Sequence, residues 1–470
     1  MAGAESSSYT RWMATLGTVS TLALLLFGPA SAEPPTGVWR SDGYGMVWEF
    51  LPEGLQAWEI TTTTCVRAAR LAKGPPPPGA AAAFFDGPAT AWIVRPGWNA
   101  TALVAHAPGT VSDVRFRRLA ALPAVCLAPT PNTIEGNFAV FEHTLREHYA
   151  FFGLRRMDWD GQVAEARRRL AGSPTPRDFY EALEQMVAPL EDLHTDVTAT
   201  DLNLRVRHYR RAGGVIDPDR YRALLAAPPR RYLTGGLESW CQDWIQFGEL
   251  PDSVAYLRIM REYSYTPSGR FEDDSLALTA ALDSIMPRIA RRRALVIDLR
   301  LNGGGADAIA MMIVSRLTNR SYQAFGKQGR SDPKRPDRFT PLQRVRIDPA
   351  RGARFGGPTV LLTGPWTLSA GEVLTLALIG RSPRIVRVGE STQGIFADEL
   401  IRQLPNGWRF QLSSERYLAP DGTNFEGAGI PPDRMVPVFP ESDQLSGRDG
   451  ALEAALEILT RPTTSRKANQ

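Results

Sequence analysis

The stretch Gly357-Pro-Thr-Val-Leu-Leu-Thr-Gly-Pro-Trp-Thr-Leu-Ser-Ala-Gly-Glu372 decides how the rest of the chain is read. Thr359 to Thr363 is a short β-branched and leucine run, the composition of a buried strand. Gly364-Pro365 breaks it. Ser369-Ala370-Gly371-Glu372 follows, and Val373 to Ile379 is an apolar run with few breakers that reads as a helix. A serine between a strand end and a helix start can hold its hydroxyl clear of the sheet. The unpaired N–H groups of the helix start can then bind a developing oxyanion. Serine is also a common helix N-cap, and this stretch alone favours that simpler role.

Working outward, Ala294-Leu-Val-Ile-Asp298 is a second buried strand, running into Leu299-Arg-Leu-Asn-Gly-Gly-Gly305 and then a helix over about 306–317. Val254 to Met260 reads as a strand, and Leu278, Leu282, Ile285 and Ile289 form a helical stripe in which Pro287 predicts a kink or an early end. This alternation of strand and helix is the pattern of an α/β domain. Further on, Pro405-Asn406-Gly407 between Leu400–Leu404 and Trp408–Leu412 is a hairpin signal, and about 449–460 reads as a closing helix.

The first third differs. Residues from about 37 to 128 read as a small antiparallel sheet or barrel, with Met46 to Leu51 turning at Pro52-Glu53-Gly54 into Leu55 to Thr64. Its Trp39, Trp48, Trp58 and Trp92 can line a groove, but core packing is the commoner use of aromatic residues in strands. From about 134 the period becomes helical. Phe138, Phe141, Leu145, Tyr149 and Phe152 share one face, and Thr175-Pro176 with Asp178 opens a helix whose stripe is Phe179, Leu183, Met186 and Leu190. Glu191-Asp-Leu-His-Thr195 ends it. The Arg-rich segment from about 203 to 250 carries no readable pattern.

At 470 residues there is room for about three domains. The net charge of +4 is small, and no Lys/Arg block forms a nucleic-acid arm. Arg167-Arg168-Arg169 reads as the solvated face of a helix. The first 32 residues read as a secretory signal: Arg11, an apolar run from Met13 to Phe27, then Ala30-Ser31-Ala32 before Glu33. The run is short for a membrane span; an uncleaved anchor is the alternative. A secreted or periplasmic protein is expected. Of the three cysteines, Cys65 and Cys126 fall in the same β unit, so among the three possible pairings these two are expected to bond, leaving Cys241 free. Their spacing matches no metal signature. The Gly303-Gly304-Gly305 turn lacks both the dinucleotide spacing and a following Gly-Lys-Ser/Thr, so neither a nucleotide nor a metal cofactor is expected.

Taken together these pieces resemble the serine peptidase family of tail-specific and C-terminal processing proteases, in its tricorn-core-like branch. The residues that carry the resemblance are Asp298-Leu-Arg300 with Asn302 to Gly305, Thr367 to Glu372, Gly389-Glu390 with Thr392 and Gly394, and Gly422 with Glu426-Gly427 and Gly429-Ile-Pro-Pro-Asp433. Phe138 to Trp159 and Leu190 to Thr195 resemble the helical cap and histidine segment of that branch. The resemblance implies a crotonase-like ββα-spiral α/β core over 250–440, a helical cap over 134–210, an all-β domain over 33–130, and a tail over 441–470.

It also implies roles. Ser369 falls at the nucleophile, His194 at the base and Glu426 at the orienting carboxylate, with Asp398 and Glu390 as rival orienters. Gly304 and Ala370 would supply the oxyanion N–H groups. The lysine of the lysine-dyad branch is absent: Ile395 follows Gly394, and Lys327 and Lys334 are read as lying in a polar loop. There is no room before the core for an ordinary PDZ insertion. The implied function is hydrolysis of a polypeptide through a Ser-His-Glu acyl-enzyme mechanism. Two alternatives share the fold: a non-catalytic binder of lipophilic ligands or peptides, and a crotonase-type acyl-CoA enzyme. Secretion argues against the latter.

Overall fold

The computed structural model describes residues 34–207, 218–227 and 229–460. The expected signal segment, 1–32, and His208 lie outside the described residues.

Alternating apolar residues close the first third into a barrel. Its strands are β1 (Gly37–Ser41), β2 (Met46–Leu51), β3 (Gly54–Ile60), β4 (Cys65–Gly74), β5 (Ala82–Asp86), β6 (Ala89–Pro96), β7 (Ala102–His106) and β8 (Val114–Leu119), and β8 pairs back onto β1. Trp39, Trp48 and Phe116 fill the interior, with Trp48 stacked on Phe116 at 4.1 Å between ring centroids. Trp58 is buried as well; Trp92 is only partly covered. The tryptophans are thus mostly core, and closure leaves the barrel no edge.

Cys65 and Cys126 form a disulfide, their Cα atoms 5.1 Å apart, and Cys241 is free. The bond closes a 61-residue separation that ties the barrel to the chain leaving it. Loop-closure entropy at that length is worth about 4 kcal/mol. A Cys65→Ala, Cys126→Ala double variant is expected to lower the unfolding free energy of this part by about 2–5 kcal/mol, measured by urea titration of intrinsic fluorescence. An unchanged midpoint would contradict it.

The remaining strands make three sheets. They are β9 (Asp196–Ala199), β10 (Leu204–Arg207), β11 (Glu238–Trp240), β12 (Ile245–Leu250), β13 (Val254–Ile259), β14 (Ala294–Asp298), β15 (Tyr322–Gly329), β16 (Gln343–Ile347), β17 (Thr359–Thr363), β18 (Val386–Gly389), β19 (Glu399–Gln403), β20 (Arg409–Ser413), β21 (Glu415–Leu418) and β22 (Arg434–Met435). The central sheet runs β11-β12-β13-β14-β17-β18-β22, parallel from β13 onward. Both faces are covered. The helices Phe271–Ile289, Asp307–Ser315 and Ala370–Ile379 pack one face, and Gly450–Thr460 the other. That explains the unbroken apolar runs of β14 and β17, every residue of which is buried.

Asp298 and Arg300 are mainly structural. Arg300 donates to both Asp298 and Asp449, anchoring the closing helix. Burial alone would raise the Asp298 carboxyl, but the Arg300 guanidinium holds it down at about 2.

Four expectations are corrected. The helix containing Pro287 runs through to Ile289, the proline being tolerated within its last turn. Segment 203–250 is not patternless, since β10, β11, β12 and the helix Pro218–Ala226 fall in it; β10 and β11 are too short, at four and three residues, to show a period. The apolar face from Phe138 to Phe152 belongs to two helices, Ile134–His148 and Phe152–Arg155, rather than one. Lys327 lies in β15, not in a polar loop, and is buried between Asp398 and Glu415.

The segment carrying His194 is also only partly helical. β9 and β10 extend the hairpin β19–β20 into a four-stranded sheet, order β10-β9-β20-β19. The helices Ile134–His148 and Pro176–Val187 pack on it through Phe141, Leu183, Phe410 and Leu412.

Candidate active site

Ser369 follows β17 by six residues and occupies the N-cap position of the helix Ala370–Ile379. Its side chain makes no capping bond. Its backbone sits at φ 53°, ψ −126°, a conformation that non-glycine residues rarely hold. Such strain costs on the order of 1–3 kcal/mol and persists only where the surroundings fix it. Three bonds do so: Ser369 N–H donates to Ile395 O at 3.1 Å, Leu368 N–H to Asn302 O at 3.0 Å, and Thr367 Oγ1–H to Leu299 O at 2.8 Å. The simpler cap role is therefore not what the side chain performs here.

The glycine turn lies against this serine. A Cβ on Gly304, whose φ is +83°, would fall 2.5 Å from Ser369 Cβ and 3.1 Å from Ala370 N, so glycine is needed there. Ala370 N–H has no acceptor among the described residues. Gly304 N–H, by contrast, donates to Asn302 Oδ1 at 2.9 Å. Of the two expected oxyanion donors, one is open and one is already engaged.

Asn302 itself is held by Glu262. Its amide donates to Glu262 Oε1 at 2.6 Å and to Ile259 O at 3.1 Å. Glu262 is fully buried, and burial pushes its carboxyl up to about 8 although the Asn302 bond pulls the other way. A carboxyl raised on folding adds stability below its unfolded value near 4.5 and loses that stability as pH climbs through 8. Melting temperature should therefore fall between pH 5 and pH 9, and fall less steeply in Glu262→Gln, by the equivalent of a few kcal/mol. Equal slopes in calorimetric scans would contradict this.

His194 is not at a helix end. It sits in a turn in which Thr195 N–H donates to Asp192 O at 3.0 Å, and β9 follows. Asp192 anchors the turn, accepting from His194 N–H at 2.9 Å, Thr195 Oγ1 at 3.1 Å and Tyr149 Oη at 3.0 Å. The imidazole is buried, and its Nδ1 donates to Ala397 O at 2.5 Å. A carbonyl can only accept, so Nδ1 carries the proton and Nε2 is left as the basic nitrogen. The other described histidines serve elsewhere: His106 pairs with Asp113, His143 with Glu142, and His148 is buried beneath Gly45, its pKa lowered to about 3 mainly by burial.

Ser369 and His194 are joined through one short strip of backbone, Gly394 to Ala397. Ile395 O takes Ser369 N–H and Ala397 O takes His194 Nδ1–H. Two residues span no more than about 7 Å, so these anchor points are close. No direct hydrogen bond between the two side chains is present. The N–H groups of the strip all meet carboxylates. Glu372 accepts from Gly394 and Ile395, each at 2.7 Å, and Glu426 accepts from Phe396 at 2.9 Å and Ala397 at 3.3 Å.

Glu426 thus lies one peptide removed from the imidazole, and the group that meets Nδ1 is a carbonyl rather than the expected carboxylate. The rival orienters are further off: Asp398 is bound by Lys327 and Tyr417, and Glu390 accepts from Val438 N–H. Burial pushes Glu372 up to about 7; burial, reinforced by Asp192, pushes Glu426 up to about 8. Arg155, whose side chain is buried, places Nη2 3.5 Å from Glu426 Oε1. The structure thus adds Glu372, Asp192 and Arg155 to the residues anticipated. Only Glu372 had a local signal, as an acid one turn after the serine.

Residues 253–436 match peptidase family S41. This span is similar to an S41 peptidase domain. Within it lie the glycine turn, Ser369 and Glu426, whereas His194 and the barrel lie outside. The carboxyl-terminal-processing protease of a Picosynechococcus species is 33% identical over 106 residues, which is 22% of this chain and 25% of that protein. The aligned stretch therefore spans about a quarter of the curated relative. A crystal structure of a candidate peptidase from Parabacteroides merdae superposes with a TM-score of 0.57 at 22% identity, covering 70% of this chain and 98% of the other. A mutant of CPAF gives 0.50 at 13% identity, covering 69% and 96%. These likenesses concern the fold. Among the described residues no helix is long and apolar enough to cross a membrane.

Proposed function

We propose that the chain is an exported serine endopeptidase that cleaves polypeptides through an acyl-enzyme on Ser369. The observation that carries this is the backbone of Ser369: positive φ, at a helix start, with a side chain released from capping. His194 Nε2 takes the serine proton as Oγ attacks the scissile carbonyl, and the same proton passes to the leaving amine. Water then enters by the same base and releases the acyl group. Ala370 N–H faces the developing oxyanion, and Gly304 N–H joins it by sharing or releasing its bond to Asn302. Glu426 acts on the histidine through the backbone of Ala397, whose N–H it accepts and whose C=O takes the imidazole N–H, and so holds the strip that fixes the ring. None of these steps draws on a metal or a nucleotide.

In this reading the core over 250–440 is of the crotonase-like ββα-spiral kind. The segment 134–210 lays His194 over it, 33–130 is the barrel, 441–470 the tail, and 1–32 a removable signal. A disulfide in the barrel suits an oxidising compartment, secreted or periplasmic. Purified mature chain should degrade casein, with activity lost in acid because a protonated imidazole cannot accept the serine proton. A Ser369→Ala preparation that degraded casein at the wild-type rate, after subtraction of mock-purified contaminants, would sink the reading. No nucleic acid partner enters into it.

A further inference from the structure

Between the barrel and the core lies a cavity of about 360 Å³, inside the span of roughly 300–1,000 Å³ typical of ligand pockets. The barrel contributes Met46, Trp92 and Val114 to its wall, and the core contributes the run from Asp398 to Arg402. That run starts one residue after Ala397, whose carbonyl holds His194. The cavity wall is therefore continuous with the strip that joins His194 to Ser369.

We propose that this cavity is the pocket for a large apolar side chain of the substrate, flanking the scissile bond, with the barrel as its selecting wall. The proposal rests on the serine peptidase reading and gives the barrel, which lies outside the matched domain, a part in it. The ionisable groups on its wall already have partners: Arg402 donates to Tyr44 O and to Ile401 O at 2.8 Å and lies 4.0 Å from Glu59, and Glu399 accepts from Gln411 Nε2 at 2.5 Å. Lys327, 1% exposed, is held by Asp398 and by Glu415 at 3.0 Å. The second Asp398 oxygen accepts from Tyr417 Oη at 2.9 Å, and the second Glu415 oxygen from Tyr44 Oη at 2.6 Å. An inserted ammonium or carboxylate would have to break one of these buried bonds, at the cost of leaving its partner unpaired. An apolar group needs none of them and gains the walls of Met46, Trp92 and Val114.

The test compares wild type with Ser112→Trp, which fills the cavity from the barrel loop, and Trp92→Ala, which enlarges it. Cleavage sites in denatured casein are mapped by mass spectrometry, kcat/KM is measured on peptides differing only in Phe or Ala beside the cleaved bond, and fluorophosphonate labelling reports an intact, folded site. Wild type should favour the Phe peptide. Ser112→Trp should lower kcat/KM for that peptide by about 10–100-fold while labelling and Ala-peptide cleavage stay within about twofold. Trp92→Ala should shift preference toward bulkier residues. A wild type that is labelled but whose preference neither variant moves overturns the pocket and leaves the peptidase reading standing, as does an equal loss on both peptides. A wild type that is not labelled at all overturns both.

Discussion

Alanine at Ser369 should abolish peptide cleavage, on the order of 10⁴-fold or more in kcat, and alanine at His194 should do nearly the same. The double variant should lose little beyond either single one. Nucleophile and base act as a unit: an imidazole with no hydroxyl to deprotonate is idle, and a hydroxyl with no base is a poor nucleophile. Ser369 is only half-buried, and its backbone geometry is imposed by Ile395, Asn302 and Leu299 rather than by its own side chain. Ser369→Ala should therefore fold as the wild type does, with an unchanged melting temperature. Additive losses, or a residual activity shared equally by all three variants and wild type, would contradict the pairing.

The next largest effect is expected at the carboxylates that hold the strip. Glu372→Gln keeps shape but replaces one of two acceptor oxygens with an NH₂ group that must face the N–H of Gly394 or Ile395, whereas Glu426→Gln can keep an amide oxygen on Phe396 and Ala397 but turns its NH₂ group toward the Arg155 guanidinium. Two donors cannot bond, so the strip shifts, and Ser369 and His194 shift with it. A displacement near 1 Å costs about 10²-fold in rate. Each variant should lose about that much in kcat with little change in KM.

A pH dependence follows. Burial pushes the Glu372 carboxyl up to about 7 and, reinforced by Asp192, the Glu426 carboxyl up to about 8, and both act as acceptors for the strip. Cleavage should rise with pH from 6 to 9 as these carboxyls ionise, and this rise should flatten in the two glutamine variants. Stability has the opposite sign. Carboxyls raised on folding favour the folded state at low pH and lose that contribution as they ionise. Cleavage should therefore be fastest where these groups contribute least to stability. An identical pH–rate profile in wild type and Glu426→Gln would show that the strip is indifferent to these charges.

How much of this was legible in the sequence depended on how local each signal was. β14 and β17 announce themselves because both faces are covered, so five consecutive buried residues read as one apolar run. The barrel was visible in the alternation of Met46 to Leu51 and in the turn after it. The short strands β10 and β11, in contrast, run for four and three residues, too few to show a period, and Arg205 of β10 reads as a surface charge although it is held by the Asp196 carboxylate. In the site, Ser369 was marked by strand, break and helix, and Gly304 by its triplet. Neither pattern contains the positive φ of Ser369 or the Asn302 bond that occupies the Gly304 N–H.

The link between Glu426 and His194 passes through the backbone N–H and C=O of Ala397, a residue with no distinguishing side chain, so type and spacing alone suggested direct contact. Arg155 and Asp192 meet the site across the fold, and a linear reading gives them nothing to be paired with. Lys327 was misplaced because its neighbours Gly326 and Gln328 look like a loop, whereas β15 pairs on both sides, with β16 and β21.

The central claim is that Ser369 is an activated nucleophile. Exposing the mature wild-type chain to a fluorophosphonate, digesting it, and mapping the adduct by tandem mass spectrometry tests this most directly. The expected result is one stoichiometric adduct on Ser369, lost in His194→Ala and absent from Ser369→Ala. An adduct on any other residue, or a wild-type chain left unmodified under conditions that label a control serine peptidase, would contradict it.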